Sequence, residues 1–267
     1  MWSVVGVECL KLRAQFKARL VLGVCLVGPF AFAVAMQLQS SMPSDTLFGR
    51  AVKESGFALS LVVLGFAALW AFPLLTSVVA GDLFSGEDRY GTWKMVLTRS
   101  CSRAEVFAGK TAAAVGFSCL ASLLLAASSV AAGLMIIGGG PLIDLSGVLL
   151  PSDQALYRVS LAWASILPPV LAVTAMSVLL SVVSRSSVVG VGIPVVLALL
   201  MQLAALLDGP EPLRRLLITS GFVAWHGLLA QPPFYGSLVH SATVSAVCFG
   251  GCLAIAYWQL RQRDIGG

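Results

Sequence analysis

The sequence predicts an all-α integral membrane protein of six transmembrane helices. An amphipathic N-terminal helix precedes them in the membrane interface, a charged element joins helices two and three, and a re-entrant outer element joins helices five and six. Three observations lead there. Of 267 residues, 58% are hydrophobic and 11% charged, with a mean hydropathy of +0.93. The 17 basic and 12 acidic side chains are too few to clothe a water-soluble body of this size. Six stretches of about 18 or more residues contain no Lys, Arg, Asp or Glu, each of which costs about 2.5–3.5 kcal/mol at mid-bilayer. The basic residues also cluster on alternate connections, as spanning helices require.

The elements follow in order. Val5, Cys9, Leu12 and Phe16 recur at helical spacing, with Glu8, Lys11, Arg13 and Lys17 off that stripe, which reads as a helix lying in the interface. A basic lead-in that only orients the first span is an equal alternative. Ala33-Val34-Ala35 resembles the cleavage site of a removed leader, but the long preceding segment containing Glu8 argues against one. The spans are expected at 20–38, 57–80, 111–137, 161–183, 188–207 and 237–260, and all of 1–267 reads as one transmembrane domain. Pro29, Pro73, the pair Pro168-Pro169 and Pro194 fall within four of them, so kinked helices with carbonyls satisfied by neighbours are expected. Ala112/Gly116 and Ser118/Ser122 are small-residue pairs of the kind that let helices approach closely in lipid. Between the last two spans, the apolar stretch 216–230 is too short to cross. It is bracketed by Gly209-Pro210 and Pro232-Pro233, marking a re-entrant or interfacial piece.

Orientation follows from counting. Lys11, Arg13, Lys17, Arg19, Arg89, Lys94, Arg99, Arg103, Lys110, Arg185, Arg261 and Arg263 fall on one side; Arg50, Lys53, Arg158, Arg214 and Arg215 fall on the other. That asymmetry puts both termini in the cytoplasm. The net charge of +5 therefore reads as a topology signal, and no nucleic-acid partner is expected.

Other motifs carry little chemistry. Cys25, Cys119, Cys248 and Cys252 lie in expected spans, and Cys9 and Cys101 on the reducing side, so disulfides are not expected. Cys248 and Cys252 share a helical face but have no neighbouring His or carboxylate in sequence; they read as packing residues, with no metal site. His226 and His240 show no pairing in sequence. Residues 104–111, Ala-Glu-Val-Phe-Ala-Gly-Lys-Thr, fit a relaxed phosphate-loop pattern, but the strand, loop and soluble α/β domain that such a loop needs have no room before a span. Lys110 reads instead as a lysine snorkelling to the membrane boundary.

The densest charge lies between helices two and three, where Asp82, Glu87, Asp88, Arg89, Lys94, Arg99, Arg103, Glu105 and Lys110 fall within 81–110. A bare connection is far shorter. The local pattern is helix, glycine break, helix. Gly91 permits the turn, Thr92 can cap the second helix, Trp93, Met95, Val96 and Leu97 supply an apolar face, and Ser102-Arg103 begin a helix running to Gly109-Lys110.

The run Glu87-Asp88-Arg89-Tyr90-Gly91-Thr92-Trp93-Lys94-Met95-Val96-Leu97-Thr98, with Ser102-Arg103 and Gly109-Lys110, resembles the signature between the second and third helices of the type-2 ABC transporter permease family. The likeness extends to the six spans, the N-terminal helix and the outer re-entrant element. The sequence departs from the family in having Ser100-Cys101 where proline is common before Ser-Arg.

The resemblance implies a membrane subunit of an ABC exporter with no ATPase site of its own. A cytoplasmic ABC ATPase would carry ATP and magnesium, and a second permease chain would complete a homodimer or heterodimer in a bacterial inner membrane. Glu87, Asp88, Gly91 and Thr92 would form the coupling contact to the ATPase, with Glu87 as partner to a basic group, and Arg103 would steady the next helix. No catalytic, cofactor or metal residues are expected in the chain. Two other classes remain open: an intramembrane enzyme, which needs ionisable or nucleophilic residues inside its spans, and a membrane assembly subunit that transports nothing.

Overall fold

A computed structural model describes residues 2–39, 48–93, 102–206 and 217–263. Helix α1 (Trp2–Ala14) leads at Gln15 into α2 (Phe16–Leu38). Helices α3 (Gly56–Phe66) and α4 (Phe72–Ala80) are joined by the π-wound turn Ala67–Ala71, and the short α5 (Ser85–Arg89) follows. Next come α6 (Arg103–Ile136), a hairpin of β1 (Leu142–Ile143) and β2 (Leu149–Leu150), α7 (Ser152–Ser165), α8 (Leu167–Ser184) and α9 (Ser187–Leu206). A 3-10 segment, Ile218–Leu229, precedes α10 (Gly236–Gln262).

Six helical units are long and apolar enough to cross a bilayer: Phe16–Leu38, Gly56–Ala80, Arg103–Ile136, Ser152–Ser184, Ser187–Ala204 and Gly236–Gln262. These are spans 1 to 6, and the protein is an all-α integral membrane protein. Each overlaps one of the expected charge-free stretches of the sequence and starts before it, spans 3 and 4 by the most. Span 3 begins at Arg103 because Ser102 caps it, its hydroxyl accepting from the Glu105 N–H while the Glu105 carboxylate accepts from the Ser102 N–H. Span 4 gains α7, which breaks from α8 at Ile166, immediately before Pro168 and Pro169.

Burial orders the bundle. Within an apolar 18-residue stretch of each span, 61% of the residues are buried in spans 2 and 4, against 22%, 17% and 11% in spans 1, 5 and 6; the first pair forms the centre and the others the rim. Helix α8 packs against α4, α6, α9 and α10. Its contact face carries Thr174, Ser177 and Ser181, all fully buried and spaced so that one helical face holds them. Thr174 bonds Ser118 at 2.9 Å, Ser177 bonds Ser77 at 2.8 Å, and the Ser181 hydroxyl accepts the N–H groups of Phe84 and Ser85 at 3.3 and 3.0 Å. Thr174 and Ser177 also donate to the Val170 and Val173 carbonyls of their own helix, which keeps these hydroxyls satisfied at bilayer depth.

Close approach occurs where opposed glycines meet. A Cβ on Gly56 would lie 2.3 Å from the Gly133 carbonyl carbon, and one on Gly81 would lie 2.4 Å from that of Gly190. Of the two expected small-residue pairs, Ser118 and Ser122 are buried, whereas Ala112 and Gly116 are exposed and make no such contact among the described residues. The donor missing at Pro73 is supplied by another helix. Proline supplies no N–H to the Leu69 carbonyl four residues back, and the Gln202 amide of α9 donates to that oxygen at 2.8 Å.

Along helix α1 and into α2, Leu12 of the expected stripe is buried and Val5 half-buried, while Cys9 and Phe16 are exposed, as are Val7 and Leu10; Glu8, off the stripe, is buried at 4% exposure. The reason is local: α1 packs on the start of α6, and Glu8 finds lysine partners there. Gly209-Pro210 lies outside the described residues. The apolar piece after it is the 3-10 segment, packed against α7 and α10 and too short to cross.

Candidate functional site

Five features meet at one end of the bundle: α1, the 81–93 element, the start of α6, the start of α9 and the end of α10. The element is built locally. Helix α5 ends on Gly91, which takes φ +65°; the Thr92 N–H bonds the Glu87 carbonyl at 3.0 Å and the Gly91 N–H bonds that of Asp88 at 3.2 Å. This is the Schellman closure, and glycine is the residue that adopts its left-handed position without strain. The expected glycine break is therefore a helix stop. Thr92 turns back, its hydroxyl donating to the Glu87 carboxylate. Tyr90, at 72% exposure, stands at the tip beside Gly91, which has open space around it.

Glu87 sits beneath the tip at 7% exposure. Its Oε1 accepts from Lys110 Nζ and Lys11 Nζ, both at 2.9 Å. Lys110 is itself buried, at 1% exposure, and its ammonium also donates to the Leu83 carbonyl at 3.0 Å and pairs with Glu8 at 3.2 Å. Three donors thus face three acceptors. Lys11 closes the ring through Glu8 at 2.9 Å. Two carboxylates and two ammonium groups leave the cluster neutral, the condition under which buried charge is tolerated. Burial alone would raise the Glu87 carboxyl, but the Lys110 charge, the Thr92 hydroxyl and the two lysine hydrogen bonds outweigh it and hold the group at about 2. Burial would likewise lower Lys11, yet its bonds to Glu87 and Glu8 raise it above its ordinary value.

Two further carboxylates act separately. Asp82, in the turn before α5, pairs with Lys17 at the start of span 1 and with Arg89 at 3.5 Å, and accepts from the Ser187 hydroxyl at the start of span 5. Burial opposes ionisation there too, but Lys17 and Ser187 together hold the Asp82 carboxyl below its ordinary value. Asp88 accepts from the Arg263 guanidinium after span 6 and from Trp93 Nε1 at 2.9 Å. Arg103 donates to the carbonyls of Leu260, Arg261 and Arg263 at 3.3, 2.9 and 2.7 Å, so it ties the start of span 3 to the end of span 6.

The structure therefore brings Glu87, Asp88, Gly91, Thr92 and Arg103 to one end, with Glu87 and one oxygen of Asp88 bonded to side chains of their own chain. Glu8, Lys11, Lys17, Asp82, Lys110 and Ser187 were not singled out as functional in the sequence. Lys110 does not snorkel: it is buried between two carboxylates, and residues 104–111 are α-helical. Met95, Val96, Leu97, Lys94 and Arg99 lie outside the described residues.

The opposite end uses other contacts. Asp144, buried in the hairpin turn, accepts the Ser146 and Val148 N–H groups at 2.9 and 2.8 Å. Arg158 of α7 donates to the Leu228 and Ala230 carbonyls at the end of the 3-10 segment. The His226 ring lies 4.0 Å from that of Trp225. Cys248 and Cys252 place their sulfurs 3.9 Å apart, and among the described residues no three His, Cys, Asp or Glu side chains form a metal-binding group.

The profile of the ABC-2 family transporter proteins matches residues 4–201, a range holding every residue of the joint except the carbonyls and Arg263 at the end of span 6. No curated protein matches the chain.

Proposed function

The chain belongs to the ABC-2 transporter family, and from that premise we propose that it is an exporter permease driven by a separate cytoplasmic ABC ATPase docking on the 81–93 element. The terminal end then faces the cytoplasm of a bacterial cell, with both termini inside, and a second permease chain completes the pathway. ATP and magnesium belong to the ATPase. The observation that carries this reading is the element itself: a glycine-stopped helix with an exposed tip at Tyr90-Gly91, braced from behind by a neutral ring of charges in which Glu8, Glu87 and Lys110 are buried and Lys11 is half-exposed.

In this reading Gly91 and Thr92 shape the surface that the ATPase meets. Glu87 and Asp88 transmit the resulting push, because their charges are already committed to neighbouring helices. Arg103 keeps span 3 and span 6 together as the element moves. Long stretches of the spans contain no charged residue, which favours an apolar or amphipathic cargo.

The test is capture of the full chain from its own membranes. Co-purification of an ATPase with a complete phosphate loop is expected, weakened by Gly91→Val and Tyr90→Ala and retained in Asp144→Asn. An ATPase bound equally well by all three variants, or none captured with wild type, overturns docking on this element.

A further inference from the structure

The carboxylates of the 81–93 element do not share partners. Glu87 reaches α1 and span 3 through Lys11 and Lys110; Asp82 reaches span 1 through Lys17 and span 5 through Ser187. We propose that Asp82 is the positioning residue of a second joint, which fastens the element to the inner ends of spans 1 and 5 independently of the Glu87 joint. What this joint would carry is the ATPase-driven movement, and to that extent the inference rests on the function proposed above.

Three further observations converge on Asp82. The Ser85 hydroxyl, within α5, meets the Ser187 hydroxyl at 3.0 Å, so the same two elements are bonded twice. Gly81 lies against the Gly190 backbone, which brings the base of the element into contact with the first turn of α9. Spans 1 and 5 lie at the rim, span 1 packed mainly on span 3 and span 5 on spans 2 and 4. A carboxylate beside the first residue of α9 is additionally favoured by the helix dipole. A polar joint at the end of such a rim helix sets the position of that end, whereas span 3, flanked by α2, α3 and α8, depends less on its own.

The two joints predict separable behaviour. The test uses the full chain in nanodiscs of phosphatidylethanolamine and phosphatidylglycerol, with other cysteines replaced and spin labels placed in pairs. One pair joins Tyr90→Cys to Val188→Cys; the other joins Tyr90→Cys to native Cys9. All three sites are exposed. Asp82→Asn is expected to abolish the single narrow 90–188 distance and to leave 9–90 intact. Glu87→Gln is expected to do the reverse, and Asp82→Glu to restore the wild-type 90–188 distance. Should Asp82→Asn fail to fold, Ser187→Ala and Lys17→Gln make the same measurement. A 90–188 distance untouched by these variants, or both distances disturbed alike by either carboxylate change, overturns the inference. Adding the captured ATPase with ATP and vanadate to a chain labelled at native Cys9 and Val188→Cys, with Tyr90 in place, then separates the two proposals. Separable joints with a 9–188 distance that ignores nucleotide support the second joint and count against the ATPase-driven function. A nucleotide shift in 9–188 that Asp82→Asn abolishes supports both.

Discussion

The two ends of the bundle solve the problem of buried charge in opposite ways. At the terminal end, Glu8, Asp82, Glu87 and Asp88 pair with Lys11, Lys17, Lys110 and Arg263, side chain to side chain, and nearly every pair joins two different elements. At the hairpin end, Asp144 Oδ1 accepts backbone N–H groups of its own turn and Arg158 donates to backbone carbonyls. A backbone-satisfied charge fixes a loop in one shape. A ring of side-chain pairs holds several rigid bodies in register and lets each be released by one substitution. The first arrangement suits a cap, the second an element held against several helices at once.

The contrast can be broken deliberately. Lys110→Met leaves Glu8 and Glu87 facing each other with one ammonium fewer, and removing one partner of a buried pair costs about 3–5 kcal/mol. A correspondingly large fall in thermal unfolding midpoint in detergent is expected. Acid attacks the same joint through Glu87. Its carboxyl is depressed from 4.5 to about 2 in the folded chain, so its stabilisation is complete above pH 4.5 and is lost as pH falls through about 2. At roughly 1.4 kcal/mol per pH unit the loss is about 3 kcal/mol, and unfolding midpoints measured from pH 2 to 6 should show a slope that Glu87→Gln flattens.

At the other end, Arg158→Ala strips two carbonyls of a charged donor, an effect of about 1.5–3 kcal/mol. Hydrogen exchange should quicken around the end of the 3-10 segment and leave the 81–93 element unchanged. Gly81→Val drives a side chain into the Gly190 backbone; at about 1–3 kcal/mol for overpacking, it should lower the unfolding midpoint and separate spans 2 and 5. The smallest effect belongs to the bilayer-depth hydroxyls. Ser77→Ala removes the bond to Ser177 for about 0.6 kcal/mol, the average for interhelical hydrogen bonds in membranes. A loss as large as that of Lys110→Met would erase the distinction between a ladder that seals the bundle and a joint that organises one end.

Much of this architecture is legible in the sequence because lipid imposes it residue by residue. Charge-free length locates each span, and Gly91 after four polar or charged residues announces a helix stop. What escapes is pairing across long separations. Lys110 next to an apolar run looks like a boundary lysine, since Glu8 stands far away in the chain and only the packing of α1 on α6 brings it near. The same holds for Gly56 with Gly133 and Gly81 with Gly190, where each glycine alone looks ordinary. The hydroxyl face of α8 was open to reading, because Thr174, Ser177 and Ser181 follow helical spacing. The burial of Glu8 escapes because its partner Lys110 lies far along the chain.

The central claim is that Glu87 and Lys110 act as one unit that locks the 81–93 element to span 3. A double-mutant cycle with Glu87→Gln, Lys110→Met and both together, read by thermal unfolding of the full chain in nanodiscs, tests it most directly. The account predicts strong non-additivity, of about 0.5–3 kcal/mol, with the double variant no less stable than the worse single one. Losses that simply add would show that the two residues stabilise the protein separately, and would contradict it.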